Sequence, residues 1–447
     1  MEMQMVRFTA LLSASFLAIA AAAHAQDTAA DARAFPAQLA GHAQLPAATF
    51  IAPPADAPSY FAQSGRFTAG ARVEQPMGIF DEKTGLSRPF AGQPVQGFSS
   101  TRSLGDNRFL FLTDNGYGNQ LNSADAMLHF SIFKADFDTG RLAFERTIFA
   151  HDPDRIVPFP IVTETTDTRY LTGQDFDFES IQPVGDGYWI GDEFGPWLIQ
   201  LDGNGRVLQV VATEVDGQLY RSPDNAFVQA PAPAGQLPDN VIVQRSGGYE
   251  GMALGSDGTT LYPMIEKTVY NWADGSFESI NGTPVLRIFE YDTVANAWGD
   301  KVRFYPLEDA SYSMGSFNMI PGTTRALVIE RDQNEGDPRD AAFTKPANFK
   351  RIYLIDLERA DENGVLEKIA YIDLMNIADP NGLAPRGTID GVFNFPFMTI
   401  EDVDWVNETT IVVANDNNYP FSVGREFGRA DDNEVILLDV ADFLKAD

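Results

Sequence analysis

Three glutamates occupy similar places in repeated segments of the sequence, and their type and spacing are the first sign of chemistry. Glu179 and Glu250 are 71 residues apart, and Glu250 and Glu401 are 151 residues apart. Each lies in a short apolar run that passes through a polar turn into a second apolar run. Two such runs around a tight turn predict a β-hairpin. The three glutamates are therefore expected at equivalent places in successive hairpins.

Two weaker copies of this hairpin lack the glutamate, and they begin near Gly97 and Phe317. The five copies are 82, 71, 67 and 84 residues apart, and each interval contains two more candidate strands. Four strands per repeat predict an all-β chain folded as a β-propeller with five or six four-stranded blades. A pair of β-sandwiches is the alternative. These intervals exceed the usual repeat of about 40 to 50 residues, so long loops are expected at 152–173, 216–245 and 332–350.

In a propeller the first strand of each blade lines the central axis, so Glu179, Glu250 and Glu401 should converge there. Carboxylates and amides also recur where the second hairpin strands end. Such an oxygen-only set suits Ca²⁺ best, with Mg²⁺ or Mn²⁺ as alternatives. The candidate metal ligands are Glu179, Glu250, Glu401, Asp114, Asn415 and Asp416. The competing interpretation is that these are solvated residues at strand ends, which would scatter.

Further candidates stand beside these ligands in the sequence. Lys267 and Arg331 each directly follow a glutamate, which suits them either to hold a phosphate or carboxylate or to form an ordinary salt bridge. A general base is expected at Asp192 or Glu193. The candidates for catalysis are Asp192, Glu193, Lys267 and Arg331, and those for substrate binding are Glu266, Glu330 and Tyr188. For the aromatic residues, packing between blades is the alternative.

The composition argues against several other mechanisms. The chain of 447 residues has no cysteine, which removes thiolate catalysis, disulfides and Cys-ligated zinc. Its formal charge of −31 argues against nucleic acid or anionic membranes as partners. The sequence contains neither a G-x-S-x-G elbow nor a Walker loop, and no G-x-G-x-x-G fingerprint opens a βαβ unit. A nucleotide cofactor or a Ser-His-Asp triad is therefore not expected. The predicted partner, a small-molecule ester, belongs to the hypotheses given below.

The N-terminal region has the pattern of an export signal. Residues 1–25 combine Arg7 with an apolar run and an Ala-His-Ala end, which predicts a cleaved signal peptide. The run is shorter than the roughly 20 residues that span a bilayer, which disfavours a membrane anchor. Residues 26–58 are rich in Ala and Pro and are interpreted as a tether, and 59–447 as a single domain. Residues 60–80 are expected to supply the last outer strand. The export signal predicts a periplasmic or secreted protein, and a monomer is expected.

Five motifs together resemble the phytase-like domain family, whose members are often called "esterase-like activity of phytase" proteins. The motifs are Phe178-Glu-Ser-Ile181, Tyr188-Trp-Ile-Gly-Asp-Glu-Phe-Gly-Pro196, Leu201-Asp-Gly-Asn-Gly205, Tyr249-Glu-Gly-Met252 and Ile400-Glu-Asp-Val403. The resemblance covers most of the chain from about residue 90 to 440, and the Gly-Asp-Glu-x-Gly-Pro segment is its most specific part. It implies an exported propeller whose acidic residues carry a phosphodiesterase or phosphoesterase activity. The matching acids are Glu179, Asp192, Glu193, Glu250 and Glu401.

Three functions remain open on the sequence alone. The leading hypothesis is an exported, metal-dependent hydrolase of phosphoric esters that uses an acidic cluster at the propeller axis. The alternatives are a calcium-dependent lactonase or carboxylesterase, for which Asn318 and Asn415 would be ligands, and a non-catalytic, cation-binding propeller that binds a partner. All three require Glu179, Glu250 and Glu401 to meet within roughly 15 Å, because cation ligands lie only about 2.3 to 2.6 Å from the ion.

Overall fold

The computed structural model describes residues 32–73, 83–228 and 241–447. Within these ranges the protein is nearly all β, with 33 strands, two short 3₁₀ helices and one four-residue α-helix. None of the described helices is long and apolar enough to cross a membrane. The predicted signal peptide, residues 1–25, lies outside the described residues.

The strands up to residue 150 are β1 (Arg33–Leu45), β2 (Phe50–Ile51), β3 (Phe67–Thr68), β4 (Ala71–Arg72), β5 (Gln93–Pro94), β6 (Phe98–Ser103), β7 (Arg108–Thr113), β8 (His129–Asp136) and β9 (Arg141–Phe149). Those up to residue 300 are β10 (Phe178–Val184), β11 (Gly187–Asp192), β12 (Trp197–Leu201), β13 (Val207–Ala212), β14 (Glu214–Val215), β15 (Gln218–Leu219), β16 (Tyr249–Leu254), β17 (Thr260–Ile265), β18 (Tyr270–Asn271), β19 (Ser276–Phe277), β20 (Ser279–Ile280), β21 (Thr283–Ile288), β22 (Tyr291–Asp292) and β23 (Ala297–Trp298). The remainder are β24 (Arg303–Pro306), β25 (Ser313–Met319), β26 (Arg325–Arg331), β27 (Lys350–Ala360), β28 (Leu366–Ala378), β29 (Thr388–Ile389), β30 (Val392–Phe393), β31 (Ile400–Asn407), β32 (Thr410–Asn415) and β33 (Asn433–Asp439). The helices are 3₁₀ turns at Ser59–Ala62 and Gln120–Asn122 and α1 at Ala441–Leu444.

Most long strands belong to five antiparallel repeats, numbered 1 to 5 along the chain. Repeats 1, 2 and 4 are the four-stranded meanders β6–β9, β10–β13 and β25–β28. Repeat 3 is built on β16, β17, β21 and β24, with β22 and β23 alongside. Repeat 5 contains β31, β32 and β33. All five hairpins expected from the sequence are therefore confirmed, as are the strands that follow them.

The first strand of each repeat packs against the first strands of two others. The contacts run in the cyclic order β6, β10, β16, β25, β31 and back to β6. Five apolar cores lie between successive repeats, and each draws its side chains mainly from two neighbours. The core between repeats 1 and 2, for example, joins Leu110 and Phe130 to Ile181 and Ile199. The inner ends of the five hairpins therefore meet around a common centre.

The residue pattern of β26 shows why these strands are apolar on both faces. Leu327 and Ile329 lie in the core shared with repeat 5. Ala326 and Val328 lie in the core shared with repeat 3. Side chains alternate between the two faces of a strand, so a strand buried on both faces reads as a continuous apolar run. The next two residues, Glu330 and Arg331, continue this alternation, so their charged side chains lie on opposite faces of β26.

The N-terminal tether and the predicted closing strand are corrected by the structure. Residues 33–45 form β1, which lies inside the predicted tether 26–58, and they supply the outer strand that had been expected from 60–80. β1 pairs antiparallel with β33 and parallel with β28, and Gln44 pairs with Arg141 of β9. This one strand therefore joins repeats 4, 5 and 1 into a single 14-stranded sheet.

The predicted loops agree with the structure where it describes them. Residues 152–173 lie between β9 and β10, and the charged loop at 332–350 lies between β26 and β27. The predicted loop 216–245 contains only the short strand β15 in its described part, and residues 229–240 of it lie outside the described residues.

Candidate functional site

Each of the five inner strands carries a β-bulge at the same place. The ladder register shifts in β6, β10, β16, β25 and β31. The extra residues are Ser99, Glu179, Glu250, Gly315 and Glu401. A bulge bends the strand and re-aims the side chain of the extra residue. The first and fourth equivalents are therefore Ser99 and Gly315, which corrects the expected Gly97 and Phe317 by two residues each.

A second set of equivalent positions lies where the second hairpin strands end. The residue before each bulge pairs with Thr113, Asp192, Ile265, Glu330 or Asn415. The residue after each of these partners is charged in all five repeats. These charged residues are Asp114, Glu193, Glu266, Arg331 and Asp416. The fourth repeat alone has a cation here, and it also has glycine at the bulge.

Six carboxylates from these positions and from Asp177 form the acidic cluster, defined as Asp177, Glu179, Glu193, Glu250, Glu266 and Glu401. It contains three overlapping triads in which one carboxylate oxygen per residue lies within 4.8 Å of the others. The triads are Asp177, Glu179 and Glu193; Glu179, Glu250 and Glu401; and Glu193, Glu250 and Glu266. The expected convergence of Glu179, Glu250 and Glu401 is thus confirmed, while their role as ligands stays a prediction.

Several oxygens of the cluster are buried without a hydrogen-bond partner. They are Glu179 Oε2, Glu193 Oε1 and Glu250 Oε1, on residues that are only 4 to 6% exposed. A buried charge without a partner is costly, and proteins normally pair such a charge or bind a metal with it. A donor set of carboxylate oxygens suits hard cations such as Ca²⁺, Mg²⁺ or Mn²⁺. The residues present therefore fit a divalent cation.

Arg331 is the cation inside the cluster. Its Nη2 lies 2.7 Å from Glu401 Oε1, 3.6 Å from Glu266 Oε1 and 3.7 Å from Glu250 Oε1. The side chain is 4% exposed. A Cβ at Gly315 would lie 2.1 Å from the Ile400 carbonyl oxygen and 3.3 Å from Arg331 Nε. Glycine at the fourth bulge therefore leaves room for both the strand packing and the guanidinium.

Lys267 marks the solvent side of the cluster. Its Nζ lies 2.9 Å from Glu266 Oε2, and its side chain is 30% exposed. The ammonium also donates to the carbonyl oxygen of Ser246. Burial alone would lower the pKa of Lys267, but the charges of Glu266 and Glu193 outweigh it and raise that pKa. Lys267 is therefore a charged, partly exposed hydrogen-bond donor at the edge of the acidic cluster.

The electrostatics of the cluster follow from burial and like charge. Burial is the largest effect, and the neighbouring carboxylates add to it, so the pKa values of Glu179, Glu193 and Glu250 lie well above the usual range. The same causes raise the pKa values of Asp114 and Asp416, which flank the cluster near Glu401. Without a bound cation the folded protein therefore favours protonated acids here.

Asp177 belongs to the cluster but was not among the residues predicted for the site. Its carboxylate accepts two hydrogen bonds from Asn115, one from the backbone amide at 3.1 Å and one from Nδ2 at 2.7 Å. The Asp175-Phe-Asp-Phe-Glu179 segment contained the signal, because alternate residues of an extended segment share a face. Asp177 and Glu179 were therefore candidates for the same side of the chain.

Besides Asp114 and Asp416, four predicted site residues lie outside the cluster and have other partners. The two oxygens of Asp192 accept the backbone amides of Asp177 and Gly195, each at 2.7 Å, so this residue positions the Asp177 backbone. The other three have structural contacts that follow from their place in the strands. Glu330 binds Lys368 and Tyr305, Asn415 binds Glu434 and Asp432 backbone atoms, and Tyr188 packs on Phe130.

Glu330 and Arg331 are separated by the alternation of β26. Glu330 follows Val328 on the face toward repeat 3, where its carboxylate lies 2.6 Å from Lys368 Nζ and 2.8 Å from the Tyr305 hydroxyl. Arg331 follows Ile329 on the face toward repeat 5, where it meets Glu401. Adjacent charges in one strand therefore serve different parts of the molecule.

A model of the phytase-like family, described as "esterase-like activity of phytase", matches residues 93–419. The chain belongs to the phytase-like family. The match includes every residue of the acidic cluster, and membership of this family fits a hydrolase.

Other similarities of this phytase-like chain are weaker. An uncharacterized secreted protein of Arthroderma benhamiae is 26% identical over 191 residues, which is 38% of this chain and 36% of that protein. The match thus spans about a third of that relative. Among solved structures, a candidate 6-phosphogluconolactonase of Bacteroides fragilis covers 80% of this chain and 92% of its own at 11% identity and a TM-score of 0.30. A hydrazine synthase structure from Kuenenia stuttgartiensis covers 73% of this chain and 78% of its own at 8% identity and a TM-score of 0.29. TM-scores this low carry no functional assignment.

Proposed function

We propose that the protein is an exported hydrolase of phosphoric esters that works with a divalent cation, Ca²⁺ first, at the acidic cluster. The observation that carries this proposal is the set of buried, unpartnered carboxylate oxygens beside the partly exposed side chain of Lys267. The cluster by itself repels a phosphate, since like charges at short range are unfavourable. A cation and Lys267 together would reverse that repulsion.

The proposed fold is a five-bladed β-propeller in which the five repeats are the blades. The cyclic contacts of the inner strands and the five cores between successive repeats support it. In this arrangement β1 closes the ring as the outer strand of the fifth blade, because it pairs with β33. The ring explains why acids 71 and 151 residues apart in sequence share one site.

The residues proposed to hold the cation are Asp177, Glu179 and Glu193, which form one triad and include two of the unpartnered oxygens. A bound divalent cation would supply Lewis-acid polarisation of a phosphoryl oxygen and a more acidic bound water. One oxygen of Glu193 would bind the cation, and its other oxygen would accept a proton from the attacking water. Lys267 would donate to the phosphoryl oxygens, while Arg331 is already engaged by three glutamates.

The lactonase alternative receives less support from the described residues. That hypothesis relied on Asn318 and Asn415 as amide ligands. The side chain of Asn318 instead bonds Gln182 and the Val403 carbonyl oxygen, and that of Asn415 bonds backbone atoms of repeat 5. Both amides have structural partners, so we favour the phosphorylated substrate.

The test compares a phosphomonoester, a phosphodiester and a lactone panel before and after chelation. We expect phosphoester cleavage that EDTA abolishes and Ca²⁺, Mg²⁺ or Mn²⁺ restores, and a higher Tm with the cation present. Glu179→Gln should remove the activity in a folded protein, because Glu179 belongs to the proposed cation site. Asp404→Asn is the matched control, because Asp404 is also buried on an inner strand but pairs with Arg102 at 3.1 Å.

Three results would contradict the proposal in different ways. Phosphoester cleavage that ignores chelation would remove the cation from the mechanism. Cleavage of lactones alone would show that the site acts on carboxylic esters and not on phosphoric esters. A Tm that responds to Ca²⁺ with no ester cleaved would make the cluster a structural cation site. Export is tested by whether the full-length chain is recovered in the periplasm or medium with residues 1–25 removed.

A further inference from the structure

The fourth repeat departs from the other repeats at both of its central positions. The bulge residue is Gly315, where repeats 2, 3 and 5 have Glu179, Glu250 and Glu401. The residue at the end of its second strand is Arg331, where the other four repeats have an acid. The two departures fit each other, since a Cβ at Gly315 would lie 3.3 Å from Arg331 Nε.

Arg331 neutralises only one side of the acidic cluster. Its guanidinium lies within 2.7 to 3.7 Å of carboxylate oxygens of Glu401, Glu266 and Glu250. Lys267 adds a second cation on Glu266 at 2.9 Å. This side of the cluster therefore has its counter-charge built into the chain.

The opposite side has no such counter-charge. None of the carboxylates of Asp177, Glu179 and Glu193 forms an ion pair with a residue in the part of the chain that the structure describes. Both Glu179 and Glu193 are more than nine-tenths buried, and Glu179 Oε2 and Glu193 Oε1 have no hydrogen-bond partner. Asn115 holds Asp177 in place with two hydrogen bonds. Carboxylates fixed and unpartnered in this way stay ionised only when a cation binds them.

We propose that Arg331 is a built-in cation that takes the place of a metal ion on the Glu250, Glu266 and Glu401 side, so that the cluster binds a single divalent cation at the Asp177, Glu179 and Glu193 triad. The inference rests on the proposed cation site and adds its location and its number. Removing the guanidinium would leave three buried glutamates that face one another. Two like carboxylate groups in close contact recruit a cation when no side chain supplies one.

The test counts Ca²⁺ bound to the full-length protein by equilibrium dialysis at physiological salt, which suppresses weak binding to the acidic surface. We expect one ion in the wild type, none in Asp177→Asn, and two in Arg331→Met. Arg102→Met is the matched control: Arg102 also lies on an inner strand and pairs with Asp404 at 3.1 Å, so it should keep one ion. The Tm of Arg331→Met should rise more with Ca²⁺ than that of the wild type.

An unchanged count in Arg331→Met, or a wild type that binds two or more tight ions, would overturn the inference. If Arg331→Met does not fold, Asp177→Asn and Glu401→Gln decide the question in an otherwise native chain. The first should lose the ion and the second should keep it, and equal losses would refute the location. A wild type that binds one ion at the triad and cleaves no ester would leave this inference standing while removing the proposed function.

Discussion

Two buried acidic regions of this protein differ in how their charges are satisfied. In the first, Glu434 is 1% exposed, and both of its oxygens have partners. Arg425 binds them in a bidentate pair at 2.8 and 2.7 Å, and His42 Nε2 lies 3.1 Å from Oε2. In the second region, Glu179 and Glu193 are 6% and 4% exposed, and each has an oxygen with no hydrogen-bond partner.

The pKa values follow this difference rather than burial. Burial alone would raise the pKa of Glu434, but Arg425 and His42 outweigh it and lower the pKa to about 2. Burial and neighbouring acids raise the pKa values of Glu179 and Glu193 well above the usual range. The acids in the two regions are similarly buried but differ in whether a cation pairs with them. The paired acid stabilises the fold, and the unpaired acids are the ones proposed to bind a metal ion.

Glu179→Gln should give the largest effect, a fall in phosphoester turnover of at least about 10³-fold, or about 4 kcal/mol in activation free energy. Glu179 belongs to two of the three triads, including the one proposed to bind the cation, so its loss should remove that site. The cation-free variant should be at least as stable as the wild type, because a buried charge without a partner is removed. Initial rates and thermal melting in EDTA measure both effects. A large loss of cation-free stability would show that Glu179 is structural.

The acidic cluster was largely accessible from the sequence because repetition pointed to it. A short hairpin with an acid at a fixed place recurs, and the inner ends of these hairpins meet around a common centre. The register was harder to predict. One extra residue in the strand changes which side chain faces the centre, so Gly97 and Phe317 were matched in place of Ser99 and Gly315.

Other features depend on partners far away in the chain. The segment that forms β1 is rich in Ala and Pro and has no strong strand pattern, and it is ordered by pairing with β33 and β28. Tertiary pairing can override weak local propensity in this way. The relation between Gly315 and Arg331 could not be predicted from the sequence either, because it depends on the three glutamates that surround the guanidinium in the folded protein.

Arg425→Met should destabilise the fold without touching the acidic cluster. The substitution leaves Glu434 buried with only His42 as a partner, and it removes the guanidinium from the Phe393 and Phe397 rings. Breaking a buried ion pair from one side costs about 3 to 5 kcal/mol. Urea denaturation measures the loss, and the number of bound Ca²⁺ ions should stay the same. A changed ion count with unchanged stability would reverse the roles given to the two regions.

The acid stability of the wild type should depend on Glu434 between pH 4.5 and about 2. The folded pKa, about 2, lies below the reference value of 4.5, so the folded state binds fewer protons in this window. The stabilisation is therefore complete above pH 4.5 and is lost as the pH falls toward 2, by an amount on the order of 3 kcal/mol. Unfolding free energies of the wild type and Arg425→Met across this range measure it. Equal slopes in the two proteins would contradict the pairing argument.

Lys267→Met should give the smallest effect and the most specific one. Lys267 is the partly exposed cation beside the acidic cluster, so its loss should weaken the binding of a phosphoryl group while leaving the buried carboxylates in place. We expect the KM for a phosphomonoester to rise about 10-fold, near 1.4 kcal/mol, with little change in kcat. Lys301→Met, at an exposed position of repeat 3 that precedes β24, is the control and should match the wild type. A variant that loses kcat at constant KM would place Lys267 in the chemical step, and an equal effect on neutral esters would show that it does not recognise phosphate.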